Sequence, residues 1–370
     1  MAMTRSTNPR APERARAPRR WRPDAALSKL LGLGALCSAG ALCVLLPLTG
    51  CAPAAVTEAP AVHFNNPKVR GNVPTITVLA PADSQLVPVV NQLRNELEDD
   101  FDVLVTAVDG ERDTPESVGR VLARDQPKAV VLLNNSTARI YRKWARGSAA
   151  PPVSIILMAS FAEELQHTIP NSVGIAYEVP AVTSFVGLRA LGKPVNRVGV
   201  IYRKALAHYI GAQRRLAQVE SISFLEEQLP EAFEPRALKA ALVRLERAGV
   251  DALWLPNDNG LLTRQLVARV WLPYLDRLEL PVIVGVPSLV RADYAFGVYG
   301  AIPDPEALAI QAADLIIDLS ESEWISEGPS VRLPLSAKTY VSAPLSQRFG
   351  VQPGRLQNVD VVVGQLPGED

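Results

Sequence analysis

The sequence predicts an α/β protein built as two doubly wound, parallel-sheet lobes with a ligand cleft between them. Three observations carry this. From residue 75 short β-rich runs alternate with amphipathic helical ones. The β-rich runs are apolar throughout, as strands covered on both faces are. About eight such units are more than one compact sheet of ordinary size holds, and they divide into two similar halves near residue 180.

In the first half Thr75–Ala80 reads as a strand, followed by a helix over Ser84–Glu98 with Leu86, Val89, Val90, Leu93 and Leu97 on one face. Strand Phe101–Ala107, helix Pro115–Arg124 and strand Ala129–Leu133 follow, then helix Thr137–Ala145 and strand Val153–Met158. In the second half helix Val182–Leu191 leads to strand Arg197–Tyr202, and helix Leu206–Ala217 to strand Ser221–Leu225. Helix Pro235–Ala248 precedes strand Ala252–Leu255, and helix Leu261–Leu278 precedes strand Val282–Val286. In open parallel sheets ligands sit beyond the carboxyl ends of the strands, so the cleft between facing lobes is the expected site.

The N-terminus reads as an address and an anchor. A basic stretch ends at Lys29, an uncharged run covers Leu30–Leu48, and Leu48-Thr49-Gly50-Cys51 closes it. A basic segment, an apolar segment and small residues at a cleavage site make a secretory signal over residues 1–50. The run is also just long enough for a membrane-spanning helix. Leu-Thr-Gly-Cys resembles a bacterial lipobox, which implies that Cys51 is lipidated and becomes the mature N-terminus, with a palmitate-type membrane anchor. Ala52 at the next position is what the sorting rule of Gram-negative lipoproteins associates with the outer membrane. Residues 51–74, with Pro53, Pro60, Pro67 and Pro74, read as a semi-extended tether.

Composition narrows the function. The 370 residues are 48% hydrophobic with 38 basic and 38 acidic side chains, so neither disorder nor a nucleic-acid surface is indicated. Past residue 50 the formal charge is −6. Cys37 and Cys43 lie in the signal, which leaves Cys51 alone and no intramolecular disulfide. His63, His167 and His208 are too scattered for a histidine metal site, and no nucleophile elbow or P-loop is present. No catalysis, cofactor or metal is expected.

Candidate binding residues follow from strand ends. Asn134, Asn135, Ser136 and Thr137 stand where a strand ends and a helix opens, and free N–H groups with adjacent hydroxyls suit a carboxylate. The same residue types serve equally as helix caps. Asp258, with Asn259, follows the strand ending at Leu255 and is a candidate acceptor for an ammonium. Asp83 with Ser84, Ser288 and Ser160 occupy comparable loops, where capping is the competing role. Tyr177, Phe185, Tyr202 and Tyr299 are candidate stacking surfaces or lobe packing. Trp144, Trp254 and Trp271 read as core or helix-face residues, and Arg203-Lys204 as a solvated loop or an anion contact.

Several segments carry a resemblance. Pro194–Tyr202, Ala252-Leu-Trp-Leu-Pro-Asn-Asp-Asn259, Ala307–Asp314, Lys338-Thr-Tyr-Val-Ser342, Arg348–Pro353 and Val359-Asp360 resemble, in order and spacing, a family of ABC-transporter substrate-binding proteins of the tryptophan and tyrosine type. That family has the type I periplasmic-binding-protein fold, and the match spans most of residues 75–363. It implies a first lobe of residues 75–178 plus 299–327 and a second of 179–298 plus 328–370, hinged near 176–181 and 297–303. It also favours Asp258 as a ligand contact. The implied function is capture of an amino acid or related solute for an ABC permease, without nucleic acid. An envelope lipoprotein of this fold that regulates a protein partner, or a ligand sensor, is the alternative. Three departures from the family pattern lie around the cleft mouth: Met158-Ala-Ser-Phe161, Arg203-Lys204 and Asp304-Pro305 with Ala309.

Overall fold

A computed structural model describes residues 64–290, 296–326, 330–351 and 353–364. The proposed signal and Cys51 lie outside them, as does the side chain of Ser84. Among the described residues no helix is long and apolar enough to cross a membrane.

The chain order is β1 (Thr75–Ala80), α1 (Val87–Leu97), β2 (Asp102–Ala107), α2 (Pro115–Asp125), β3 (Ala129–Leu133), α3 (Asn134–Ala145), β4 (Val153–Leu157), α4 (Ala162–Gln166) and β5 (Ser172–Ile175). It continues with α5 (Ala181–Ala190), β6 (Arg197–Arg203), α6 (Ala207–Val219), β7 (Ser223–Leu229), α7 (Pro235–Arg247) and β8 (Ala252–Leu255). Next come α8 (Arg264–Leu266), α9 (Leu272–Leu275), β9 (Val282–Val284), β10 (Tyr299–Pro303) and α10 (Pro305–Glu321). Then β11 (Val331–Arg332), β12 (Ala337–Ser342), α11 (Ala343–Arg348) and β13 (Val361–Val363) close the fold. The first sheet has the order β11-β5-β4-β3-β1-β2 and the second β13-β12-β10-β9-β8-β6-β7. All neighbours are parallel except the antiparallel pair β10 and β12.

The two-lobe α/β expectation is met because apolar strands need cover on both faces. Among the described residues four apolar clusters supply it. α1 and α10 cover one face of the first sheet, with Leu93, Leu97, Leu308 and Ile316 in the layer. α2 and α3 cover its other face through Leu122, Ile140 and Tyr141. The second sheet lies between α5, α6 and α11 on one side and α7 to α9 on the other. Every member of these clusters lies between Phe64 and Val363, inside one compact unit of residues 58–370. That stretch therefore holds all the apolar surface its cores are made from.

Three expectations change. The expected lobe boundaries put 299–327 in the first lobe and 328–370 in the second. Instead β10 belongs to the second sheet and β11 to the first. The chain thus crosses between lobes at Ala176–Pro180, at Asp304 and between Arg332 and Ala337. The second crossover follows β10 because Tyr299, Val298 and Ala301 pack into the second lobe's core, while α10 packs on α1.

The helix expected over Leu261–Leu278 is interrupted by a π turn at Val267–Trp271 between α8 and α9. Pro273 has no N–H for the Arg269 carbonyl, and a widened turn accommodates that loss.

The tether also ends earlier than residue 74. Phe64 packs on the first core, and Asn66 pairs with the edge of β2. Its amide donates to the Val105 carbonyl at 2.9 Å and its oxygen accepts from the Val105 N–H at 2.7 Å. Arg70 then closes on Asp102, its Nε 2.9 Å from Oδ1 and its backbone N–H 2.8 Å from Oδ2. An exposed sheet edge invites pairing with another chain, and this segment covers it. Asn66→Ala should lower stability by about 1–2 kcal/mol, measured by urea unfolding, and speed hydrogen exchange at Val105.

Candidate functional site

Chain order fixes where a site belongs. In the first sheet β2 and β3 lie on opposite sides of β1, and in the second β7 and β8 flank β6. Each is a topological switch point, where loops leave in opposite directions and open a crevice. The loops concerned follow β1, β3, β6 and β8. All but one of the polar residues singled out for the ligand fall on or near these loops or the loops after β4 and β9, the exception being Tyr202, inside β6.

Where the first crossover meets the second lobe lies a cavity of about 20 Å3, lined by Tyr177 and Glu178 of the crossover and by Ser184, Tyr209, Trp254 and Asn257 of the second lobe among others. That is room for about one water, whereas small-molecule sites run to hundreds of Å3. Phe161 of the first lobe packs against two of these lining residues. It sits at the start of α4 with φ +58°, a left-handed conformation costly for a bulky residue. Its ring meets Tyr209 of the second lobe edge-on at 5.2 Å between centroids, and Tyr209 in turn lies against Trp254. Its backbone N–H donates to Glu178 Oε1 at 3.0 Å.

The Phe161 loop is held by Asn135. The Asn135 amide donates to the Ser160 carbonyl at 2.8 Å and its oxygen accepts from the Ser160 N–H at 2.9 Å. The side chain thus mimics a strand neighbour and joins the start of α3 to the loop after β4.

Most of the expected ligand contacts are occupied within the chain. Asn134 takes φ +74° and its oxygen accepts from both the N–H and the hydroxyl of Ser136. Thr137 is fully buried and donates to the Leu133 carbonyl at 2.7 Å, so it faces the helix rather than the cleft. Asp258 is 2% exposed, and both its oxygens accept from Arg203, from Nε at 3.0 and 2.8 Å and from Nη2 at 2.5 Å. The Gly260 N–H adds a fourth bond at 2.9 Å. The carboxylate is thus paired within the chain, Oδ1 by three donors and Oδ2 by one. A Cβ at Gly260 would fall 2.4 Å from the Arg203 guanidinium carbon, so a side chain there would displace the guanidinium.

Other residues lie elsewhere. Asn259 and Ser288 are exposed and off the cavity wall. Tyr202 is buried and donates to Glu226 Oε2 at 2.9 Å on the far side of β6, so it is no cleft residue. Asp83 caps its own turn by accepting from the Gln85 N–H. Phe185, Tyr299 and Trp271 are core residues, and Trp144 packs on Tyr141. Tyr177 and Trp254 do line the cavity.

Sequence reasoning missed two polar groups of the cavity wall, Asn257 and Glu178. Asn257 is buried, its Nδ2 donates to the Gly285 carbonyl at 3.2 Å, and its Oδ1 has no partner. The strand end was identified and the residue was off by one, because Asp258 turns away to Arg203. Glu178 stands in the first crossover, where its carboxylate accepts from the Phe161 N–H. Burial pushes its carboxyl up to about 8; the Phe161 bond opposes this and the charge of Glu163 adds to it. Burial likewise raises the Tyr209 phenol, with Glu178 contributing. A lone acid between Val179 and Ala176 carries no periodic signal that would single it out.

Among the described residues no cluster of His, Cys, Asp and Glu could hold a metal. No family model matches this sequence, and neither does any curated protein. Solved structures do. The ABC domain in complex with L-Trp from Streptococcus pneumonia aligns with TM-score 0.54 at 14% identity, covering 79% of this chain and 100% of that one. The chain has the fold of an ABC-transporter substrate-binding protein. A ligand-free, open substrate-binding protein with adhesive properties from Clostridium difficile aligns with TM-score 0.57 at 14% identity over the same shares. A conserved domain protein from Vibrio cholerae gives 0.52 at 13%, covering 78% and 99%.

Two tests follow from the site. A carboxyl raised in the folded state binds its proton where the unfolded chain has released it. The contribution of Glu178 to stability is therefore greatest below about 4.5, falls as pH rises toward about 8, and is flat beyond. Glu178→Gln should remove this slope and raise stability at pH 8.5 by roughly 2–4 kcal/mol, read as unfolding midpoints across pH 4–9. Arg203→Ala should cost about 3–5 kcal/mol by leaving Asp258 buried and unpaired. Adding Asp258→Asn should recover part of that loss in the same chemical unfolding assay.

Proposed function

We propose that the chain is a lipid-anchored, extracytoplasmic solute-binding protein that captures a small molecule between its lobes for an ABC importer. The observation that carries this reading is a polar and aromatic cavity where the first crossover meets the second lobe, with Phe161 of the first lobe packed on Tyr209 beside it. It presents an unpartnered acceptor, Asn257 Oδ1, beside the Glu178 carboxyl and an aromatic wall of Tyr209 and Trp254. An ammonium or other N–H donor satisfies the acceptors, and an apolar side chain suits the wall, so the ligand class is an amino acid or related amine. Similarity to the structure that holds L-Trp supports the same class. Ligand entry requires the lobes to part and Phe161 to withdraw from Tyr209, with the three crossovers as hinges. Cys51 supplies the anchor and the permease is the partner.

A second reading has its own observation. A cavity of only about 20 Å3 suits an envelope lipoprotein that kept the fold and binds a protein partner instead.

Thermal shift on residues 58–370 against amino acids and amines separates the two. A ligand at a hundred times its dissociation constant stabilises by about 2.7 kcal/mol, which moves the midpoint by a few degrees. The solute reading expects one such shift, altered in Asn257→Ala. It also expects Phe161→Ala to change affinity, by relieving the plug. No shift with either protein, from a cooperatively folded sample, decides for the second reading. Incorporation of labelled palmitate, lost in Cys51→Ser, tests the anchor.

A further inference from the structure

The first lobe is electrically two-sided. α3 carries Arg139, Arg142, Lys143 and Arg146, the last at its C-terminal cap, and no acidic residue. Arg139, Lys143 and Arg146 are exposed and spaced four and three apart, which puts them on one stripe. Arg139 Nε bonds the Asn135 carbonyl and Arg142 reaches Thr168 Oγ1 at 3.3 Å. None of the four makes an ion pair among the described residues. On the opposite face of the same sheet, α10 carries Glu306, Asp314, Asp318 and Glu321 and no basic residue. Asp314, Asp318 and Glu321 are exposed with the same four-and-three spacing, and only Asp318 is paired, with Arg332.

Complementing the helix dipole accounts for the cations in the last turn of α3, but not for Arg139 a turn earlier. Nor is the chain basic overall, since residues 64–370 hold 30 basic against 35 acidic side chains. The α2–α3 layer does contain the exposed Glu116 of α2, with Arg120 one turn on, and the exposed Glu163 and Glu164 of α4. Glu163 lies toward the cleft, where it acts on Glu178, while the stripe runs away from the cleft to the amino end of the sheet.

We propose that the α3 stripe is a docking face for an anionic phospholipid surface, which holds the first lobe flat against the membrane with the α10 face turned outward. The proposal goes beyond the solute-binding reading; it rests on that reading's anchor at Cys51 for its reach, and not on the ligand. Charge complementarity chooses the occupant. A second copy offers the acidic stripe of α10, but exposed ion pairs each shift an equilibrium by about fivefold at most. A lipid surface presents many anions at once, each basic residue near it adding about fivefold to partitioning. Only twelve residues, 52–63, separate Cys51 from the described domain, and at about 3.5 Å each they span at most some 40 Å. A lipidated Cys51 would keep the stripe within reach of the bilayer.

The test uses residues 58–370, which contain the whole of the cores and lack the anchor and its basic leader. Co-sedimentation is measured with vesicles of phosphatidylcholine alone and with 40% phosphatidylglycerol, at 20 and 150 mM salt. Binding is expected to the anionic vesicles only and to weaken with salt as screening grows. Arg139→Gln with Lys143→Gln and Arg146→Gln should lower it by roughly a hundredfold with an unchanged unfolding midpoint. Asp314→Asn with Asp318→Asn and Glu321→Asn should leave it intact. Equal binding to both vesicle types, no binding at 20 mM salt, or full binding by the α3 variant would overturn the proposal. So would a salt-sensitive oligomer in sedimentation velocity without vesicles, abolished by either triple variant, because that points to a second copy. Ligand binding in the thermal screen is read separately, so each proposal fails on its own result.

Discussion

The side-chain amide of Asn135 is the join on which the closed arrangement depends. By exchanging two hydrogen bonds with the backbone of Ser160 it fixes the loop after β4, and that loop carries Phe161 into the second lobe's aromatic group. Phe161 then does two things at once. Its ring meets Tyr209 and its N–H meets Glu178 in the first crossover. Met158 and Phe161 both hold left-handed backbone around this loop. Strain of that kind persists only where the surroundings over-determine it, and Asn135, Tyr209 and Glu178 are those surroundings.

Arg203 plays a parallel part in the second lobe. It ends β6 at one side of the switch point and engages Asp258 from the other, with Glu231 at 3.2 Å from Nη1. The two loops that a ligand would use as separate walls are thus joined by a charged pair. Phe161 and Arg203 both stand where the sequence departs from the substrate-binding pattern it otherwise resembles. Both residues make internal contacts, Phe161 with Tyr209 and Arg203 with Asp258.

Much of the fold was legible because its signals are local. Ala129–Leu133 and Ala252–Leu255 are continuous apolar runs and appear as strands with those bounds. The face of Leu86, Val89, Val90, Leu93 and Leu97 is buried as its spacing requires. What escaped was set by partners distant in sequence. β10 and β11 are assigned to sheets by pairing with β12 and β5, and no period within Tyr299–Pro303 or Val331-Arg332 announces that. The loops that end the strands were legible, and the partners of their side chains were not. Strand ends are a property of chain order, but whether Asn257 or Asp258 faces the cavity depends on Arg203, 55 residues away from Asp258.

The attachment of residues 64–72 to β2 has a mechanical side. Asn66 grips Val105 and Arg70 grips Asp102, one contact after another along the edge of a sheet. A pull on the leader loads these contacts in series, so they open like a zipper from Asn66 and the β1–β2 ladder behind them bears no force until Arg70 lets go. The domain therefore has a short extensible segment before β1 whose release adds about a residue's span per residue freed, while the lobes themselves stay folded.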